Sequence, residues 1–339
     1  MRIRNFFIRE SELERLFKAF ESGGLSHFYA QYNDMRQKNI RFHLVSNLLE
    51  SFLPVNYISA EGLYFEHEIG KLGIARASRE IMDRWGLEIR YEMSGKVIRV
   101  LEKESFLSFG NHSSGIESVV FDSLFDREDI YQIGASFLEK IGPNISKTAI
   151  LVHNIAHKSS MQQITNKKDW RRKILNAFEA FTWPPTSDPT KVQENRTAIM
   201  RAAHLIAGNR CGVNIFPTGS VRNDAPWKNG VGSLVLKIMT IQKHNKHPIY
   251  LVPIVYGISD THLLASSLFT PNNAARILAR LQTSIFENVP FLYAPTVIPI
   301  EELLSNTRFD ANQITNKLKF IWLEIQKSAA LKFKSWPRR

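Results

Sequence analysis

The chain has 339 residues, 44% of them hydrophobic and 22% charged, which excludes a disordered polypeptide and leaves room for one large domain or two ordinary ones around a sizeable core. Its 44 Lys and Arg against 32 Asp and Glu give a net charge of +12, a field that attracts nucleic acid, an anionic bilayer, an acidic carrier protein or phosphorylated substrates. Cys211 is the only cysteine, which rules out an intrachain disulfide and a thiolate metal cage and fits a reducing compartment.

The opening MRIRNFFIRESELERLF has acidic residues soon after its two arginines and no small-residue cleavage site, so no secretion signal is expected there. Residues 9–22 carry Leu13, Leu16, Phe17 and Phe20 at helical spacing and stop at Gly23-Gly24. FHLVSNLLESFL (42–53) predicts a second helix, and AEGLYFEHEIGKLGIARASREIMDRWG a third that closes at Gly86. Residues 1–90 are therefore expected to form an N-terminal helical region.

The pattern then changes. LEIRYEM, KVIRVL and SFLSFGN predict short strands, a helical stretch follows His112, and KTAILVHN predicts a buried strand. Residues 162–195 hold a basic cluster and a Trp-Pro-Pro turn, expected as an insertion or loop. VQENRTAIMRAAHLIAGNR predicts a helix stopped by Gly208-Asn209, and GVNIFP and PIYLVPIVYG predict strands. This alternation over 91–300 predicts an α/β sandwich around a mixed or parallel sheet. Residues 301–339 are expected to end the chain as a basic amphipathic helix. No apolar run reaches the roughly 18 residues a membrane span needs. The expected location is cytoplasmic, free or held at the cytoplasmic membrane face.

Within GNHSSGIES, His112 precedes Glu117 by five residues. In one regular helix such residues are turned by about 140° from each other and would point apart. They meet if His112 sits in the turn before a helix and Glu117 in its first turn, with Ser113, Ser114 or Gly115 as cap. That arrangement leaves one imidazole nitrogen oriented and the other able to accept a proton, with no protein nucleophile beside it. Alone, such a pair is more often an ordinary capping or surface histidine.

The downstream residues alter the balance. GNHSSGIES resembles the N-H-x-x-x-x-D motif of the glycerol-phosphate and lysophospholipid acyltransferase family. VNIFPTGS (213–220) is similar to its F-P-E-G-T-R turn, and YLVPIVYG (250–257) to its last apolar strand. The three come in the family's order over roughly 95–260. Glu117 stands where aspartate is usual, Thr218 where glutamate is usual, and Val221 at the usual arginine position, with Arg222 one residue on. DAPWKNG (224–230) is similar to a Trp-Lys-x-Gly segment of some bacterial members. The second motif's substrate-binding arginine has Arg196 as first candidate and Arg171 or Arg172 as rivals.

The resemblance implies an acyltransferase domain over 91–300 that moves a fatty acyl group from acyl-CoA or an acyl carrier protein to the hydroxyl of a lysophospholipid or related lipid. It implies no metal, no cofactor beyond the thioester co-substrate, and no nucleic-acid partner; an anionic membrane surface is among the partners the charge allows. His112 is the implied general base and Glu117 its orienter. Asn111, Thr218, Gly219, Ser220 and Arg222 are the implied substrate-binding residues, with turn N–H groups around Gly219 and Ser220 as oxyanion donors and Arg222 as a phosphate holder. The alternative is a non-catalytic lipid-binding protein of the same fold. HNIAH (153–157) lacks the glutamate and third ligand of a zinc site, and KHNKH (243–247) and KKDWRR (167–172) are expected as charged surface.

Overall fold

Glycines first shape the helical region. The computed structural model of the protein describes residues 9–50, 55–112, 115–155, 186–219, 226–243, 247–258, 290–303 and 309–334. Helix α1 (Glu10–Lys38) starts in a capping box, Arg9 N–H donating to the Glu12 carboxylate at 2.7 Å, and is broken at Gly23-Gly24, where both residues leave helical dihedrals (φ −150°, ψ 19° and φ 66°, ψ −153°) at the stop the sequence predicts. Helix α2 (Ile40–Glu50) folds back on α1 around Leu16, Tyr32, Met35 and Phe42. The long helix expected up to Gly86 is instead two, α3 (Val55–Leu72) and α4 (Ile74–Trp85). They divide at Gly73, whose φ of 81° and ψ of 169° belong to a region only glycine enters readily. The freed Ile74 N–H donates to Glu128 at 2.8 Å, a cap supplied from 54 residues away. Gly73→Ala would strain the backbone and drive its Cβ to within 2.4 Å of that carboxylate. An expected loss of about 1–3 kcal/mol is checked by urea unfolding.

Strand β1 (Arg90–Met93) leads into helix α5 (Gly95–Lys103), where the sequence pattern predicts a strand. The β-branched run VIRV suits either form, but Ser94 accepts a hydrogen bond from Val97 N–H, and Val97, Val100 and Leu101 form one buried helical stripe. Strand β2 (Ser105–Gly110) is followed by α6 (Glu117–Ser123), β3 (Ile130–Ala135), a 3₁₀ turn (Ser136–Lys140), α7 (Pro143–Thr148) and β4 (Ala149–Val152). Then come α8 (Pro189–Asn209), β5 (Gly212–Ile215), α9 (Gly230–Gln242) and β6 (Ile249–Gly257). Helix α8 ends on Arg210 in the left-handed conformation, one residue past the expected stop. The chain closes with β7 (Phe291–Ala294), β8 (Ile298–Pro299), α10 (Ile300–Leu303) and α11 (Ala311–Lys334). The chain is thus an α/β protein with an open mixed sheet of eight strands.

Strand order is β1-β7-β6-β2-β5-β3-β4, with β8 on β6. Strands β6, β2, β5, β3 and β4 all run parallel, so their carboxyl ends share one edge. β7 meets β6 antiparallel and pairs β1 in parallel. Right-handed crossovers send helices of opposite connections to opposite faces. One face carries α4, α5 and α6 through Ile81, Trp85, Val97, Phe106 and Phe121; the other carries α8, α9 and α11 through Ala203, Leu234, Ile238, Leu318 and Trp322. The terminal helix is therefore part of the main core, anchored by Trp322 Nε1 donating to Ile254 C=O at 2.7 Å. Among the described residues no helix is long and apolar enough to cross a membrane.

Candidate active site

The reversal of connections falls at β2, from which the chain leaves through α6 toward β3 and back to which it returns from β5 through α9 to β6. In open α/β sheets ligands bind in the crevice at the strands' carboxyl ends beside such a point. His112 stands two residues past the end of β2 at that edge. Its Nδ1 lies 2.8 Å from Glu117 Oε2, and Glu117 opens α6. The two groups meet across a turn, as the five-residue spacing requires. Gly115, with φ at 86°, swings its own N–H onto the same Glu117 oxygen at 2.9 Å. The carboxylate is fully buried and the imidazole 21% exposed. Charge is held below while the ring reaches solvent. Ile116 occupies the cap position without a side-chain bond; Ser113 and Ser114 lie outside the described residues.

Asn111 fixes the strand end beneath the histidine. Its Oδ1 accepts from Tyr256 N–H at 2.8 Å and its Nδ2 donates to Tyr256 C=O at 2.7 Å. Both ends of the amide thus engage the backbone of β6 and hold the strand end that carries His112. The His112 ring stacks on Phe216 with centroids 4.5 Å apart and planes 16° from parallel. Phe216 follows β5, so the imidazole is set by three neighbouring strands: tethered through β2, pinned by β6 and backed by β5. Phe216→Leu should destabilise the chain by removing a stacking contact of about 0.5–1.5 kcal/mol, with Phe216→Tyr recovering most of it; urea unfolding of the two variants checks this.

The turn after β5 carries the other expected residues. Thr218 is buried, and Gly219 takes a left-handed φ of 59°. The Gly219 N–H donates to Phe216 C=O at 2.9 Å, so in this turn that donor is already engaged. Lys228 N–H donates to Pro217 C=O at 2.8 Å and closes the same turn from the far side. Ser220 and Arg222 lie outside the described residues, as do Arg171, Arg172, His157 and the KKDWRR cluster. Arg196 stands exposed on α8.

A buried polar row that sequence reasoning did not single out underlies the dyad. Ser108, Asn214 and Gln132 are register partners on β2, β5 and β3. Ser108 Oγ donates to Asn214 Oδ1 at 2.9 Å, Asn214 Nδ2 to Gln132 Oε1 at 2.7 Å, and Gln132 Nε2 to Asp122 Oδ1 at 2.8 Å. Buried polar groups persist only when so satisfied. The row ends on α6, the helix that carries Glu117. Burial pushes the Asp122 carboxyl up to about 8, the Gln132 hydrogen bond pulling down and the Glu128 charge pushing further up. The enclosed Tyr256 hydroxyl is likewise pushed well up by burial and by the charges of Glu117 and Asp122, with Asn214 pulling the other way. The signal was present: one polar residue in the middle of each apolar strand, in FLSFG, VNIF and IYQIG.

His153 follows β4 directly. Its Nε2 lies 2.6 Å from Glu194 Oε2, and Asn195 bonds both its N–H and its C=O. Among the described residues no three His, Cys, Asp or Glu side chains gather as a metal site. No known protein-family model matches the chain, and no curated protein matches its sequence.

Proposed function

We propose that the chain is an acyltransferase that moves a fatty acyl group from an acyl thioester, on CoA or on an acyl carrier protein, to the hydroxyl of a lysophospholipid or related lipid. The observation that carries this reading is the His112–Glu117 pair, joined at 2.8 Å with the carboxylate buried and the ring reaching solvent at the carboxyl edge of the sheet. The three motifs that resemble the acyltransferase family support it: they supply His112, Phe216 and Tyr256, which contact one another in series. The open sheet with helices on both faces fits the αβ sandwich expected of that family.

In this mechanism Glu117 accepts the Nδ1 proton's hydrogen bond and holds Nε2 as the basic nitrogen. Nε2 removes the proton of the acceptor hydroxyl as its oxygen attacks the thioester carbonyl carbon, and the carbonyl electron pair moves onto oxygen. Collapse re-forms the carbonyl and breaks the carbon–sulfur bond. The leaving thiolate takes the proton back from the imidazolium, which Glu117 stabilises meanwhile. A base so placed contributes ~10²–10⁴-fold. Ile40 and Leu44, exposed one turn apart on α2 beside Lys38, fit a shallow contact with an anionic bilayer that supplies the acceptor.

The test is a long-chain acyl thioester incubated with vesicles containing lysophospholipid. The expected result is one free thiol released per acylated lipid formed. Vesicle binding with the thioester left intact would identify a lipid-binding protein and reject the transferase reading.

A further inference from the structure

The proposed reaction places a negative charge on the carbonyl oxygen, and that charge needs a donor. Three backbone donors near the imidazole are already engaged: Gly115 N–H with Glu117, Gly219 N–H with Phe216 C=O and Lys228 N–H with Pro217 C=O. On the same turn a cationic side chain comes close. A Cβ at Gly219 would stand 3.1 Å from Lys228 Nζ, so the ammonium approaches the turn where glycine leaves no side chain in its way. Gly219 is three residues beyond Phe216, the residue on which the His112 ring rests, and a Phe216 C=O to Gly219 N–H turn spans less than about 7 Å between its end Cα atoms.

The main chain at Lys228 is also held. Its N–H is bonded to Pro217, and the preceding Trp227 is wedged between Phe109 of β2, with centroids 6.0 Å apart, and Trp322 of α11, at 5.8 Å. A charge placed at the turn before the reaction needs less reorganisation when the oxyanion forms than one drawn in from solvent.

Resting on the acyl-transfer reading, we infer that Lys228 is a catalytic residue whose ammonium holds the carbonyl oxygen of the tetrahedral intermediate. Electrons pass from the carbonyl bond to that oxygen on attack and return on loss of thiolate; the ammonium keeps its proton throughout.

The experiment compares wild type, Lys228→Met and Lys228→Arg in steady-state transfer, with circular dichroism and thermal melting as folding controls. Methionine preserves the apolar stem and removes the charge. The expected result for Lys228→Met is a fall in kcat of ~10²–10³-fold, with KM for donor and acceptor within about twofold and the melting curve near that of wild type, and partial recovery in Lys228→Arg. An unchanged kcat in a folded Lys228→Met variant overturns the inference. A rise confined to the acceptor KM, seen with an anionic but not a neutral acceptor, also overturns it and makes Lys228 a headgroup ligand. If Lys228→Met fails to fold, Lys228→Arg decides: a kcat at or above wild type counts against the role, and a reduced kcat at unchanged KM supports it. A wild type that consumes no thioester rejects the acyl-transfer reading itself, and the lysine's role falls with it.

Discussion

His112→Ala is expected to lower kcat by ~10²–10⁴-fold, the full contribution of a positioned general base, while leaving the fold intact. The ring is 21% exposed and rests on Phe216 at the sheet edge, so its removal opens no cavity in the core. Glu117 separates two effects. In Glu117→Gln the carboxamide oxygen can still accept from both His112 Nδ1 and Gly115 N–H, because one carboxylate oxygen accepts both bonds. What is lost is the charge that balances the imidazolium, and the difference between a charged and a neutral hydrogen bond predicts about a tenfold loss. Glu117→Ala removes both orientation and charge and should approach the His112→Ala level, with lower stability because the residue is wholly buried. Transfer rates measured for the three variants with one acyl thioester rank them; a His112→Ala variant within threefold of wild type would remove the basis of the proposed function.

The second large effect is a dependence of stability on pH through Asp122. In the folded chain burial raises its carboxyl from 3.8 to about 8, so between those values the folded state keeps a proton that the unfolded state has released. Stability must therefore fall as pH rises across this window, by ~1.4 kcal/mol per unit and roughly 5–6 kcal/mol as a ceiling over the whole of it. Below the lower value both states are protonated and the contribution is level. Asp122→Asn mimics the protonated acid and keeps an oxygen for Gln132 Nε2. The variant should match wild type near pH 4 and exceed it by several kcal/mol near pH 8. Denaturant unfolding at a series of pH values measures the gap, and parallel profiles for the two proteins would contradict an acid held neutral by burial. Because Asp122 shares α6 with Glu117, loosening of this helix above pH 8 should also depress transfer by wild type more than by Asp122→Asn.

Several misreadings have one origin. KVIRVL reads as a strand because β-branched residues favour extended chain, yet Ser94 and the Val97, Val100, Leu101 spacing specify the helix that forms. Gly73 reads as a helix interior, but Glu128 supplies the cap that lets a new helix begin. In each case a residue far along the chain, or a cap outranking propensity, settles what a local window leaves balanced.

The amino-acid sequence by itself determined strands β2, β4, β5 and β6, helices α6 and α8, and the meeting of His112 with Glu117, because each depends on spacing within a few residues. The tertiary structure alone decided that Asn111 grips Tyr256 145 residues away, that Phe216 backs the imidazole, that Gly219 spends its donor while Lys228 approaches, and that Ser108, Asn214, Gln132 and Asp122 join in one buried row. The physical reason is register. A one-residue slip of β5 against β2 would turn Asn214 to the opposite face of the sheet, and only the packing of both faces sets that register.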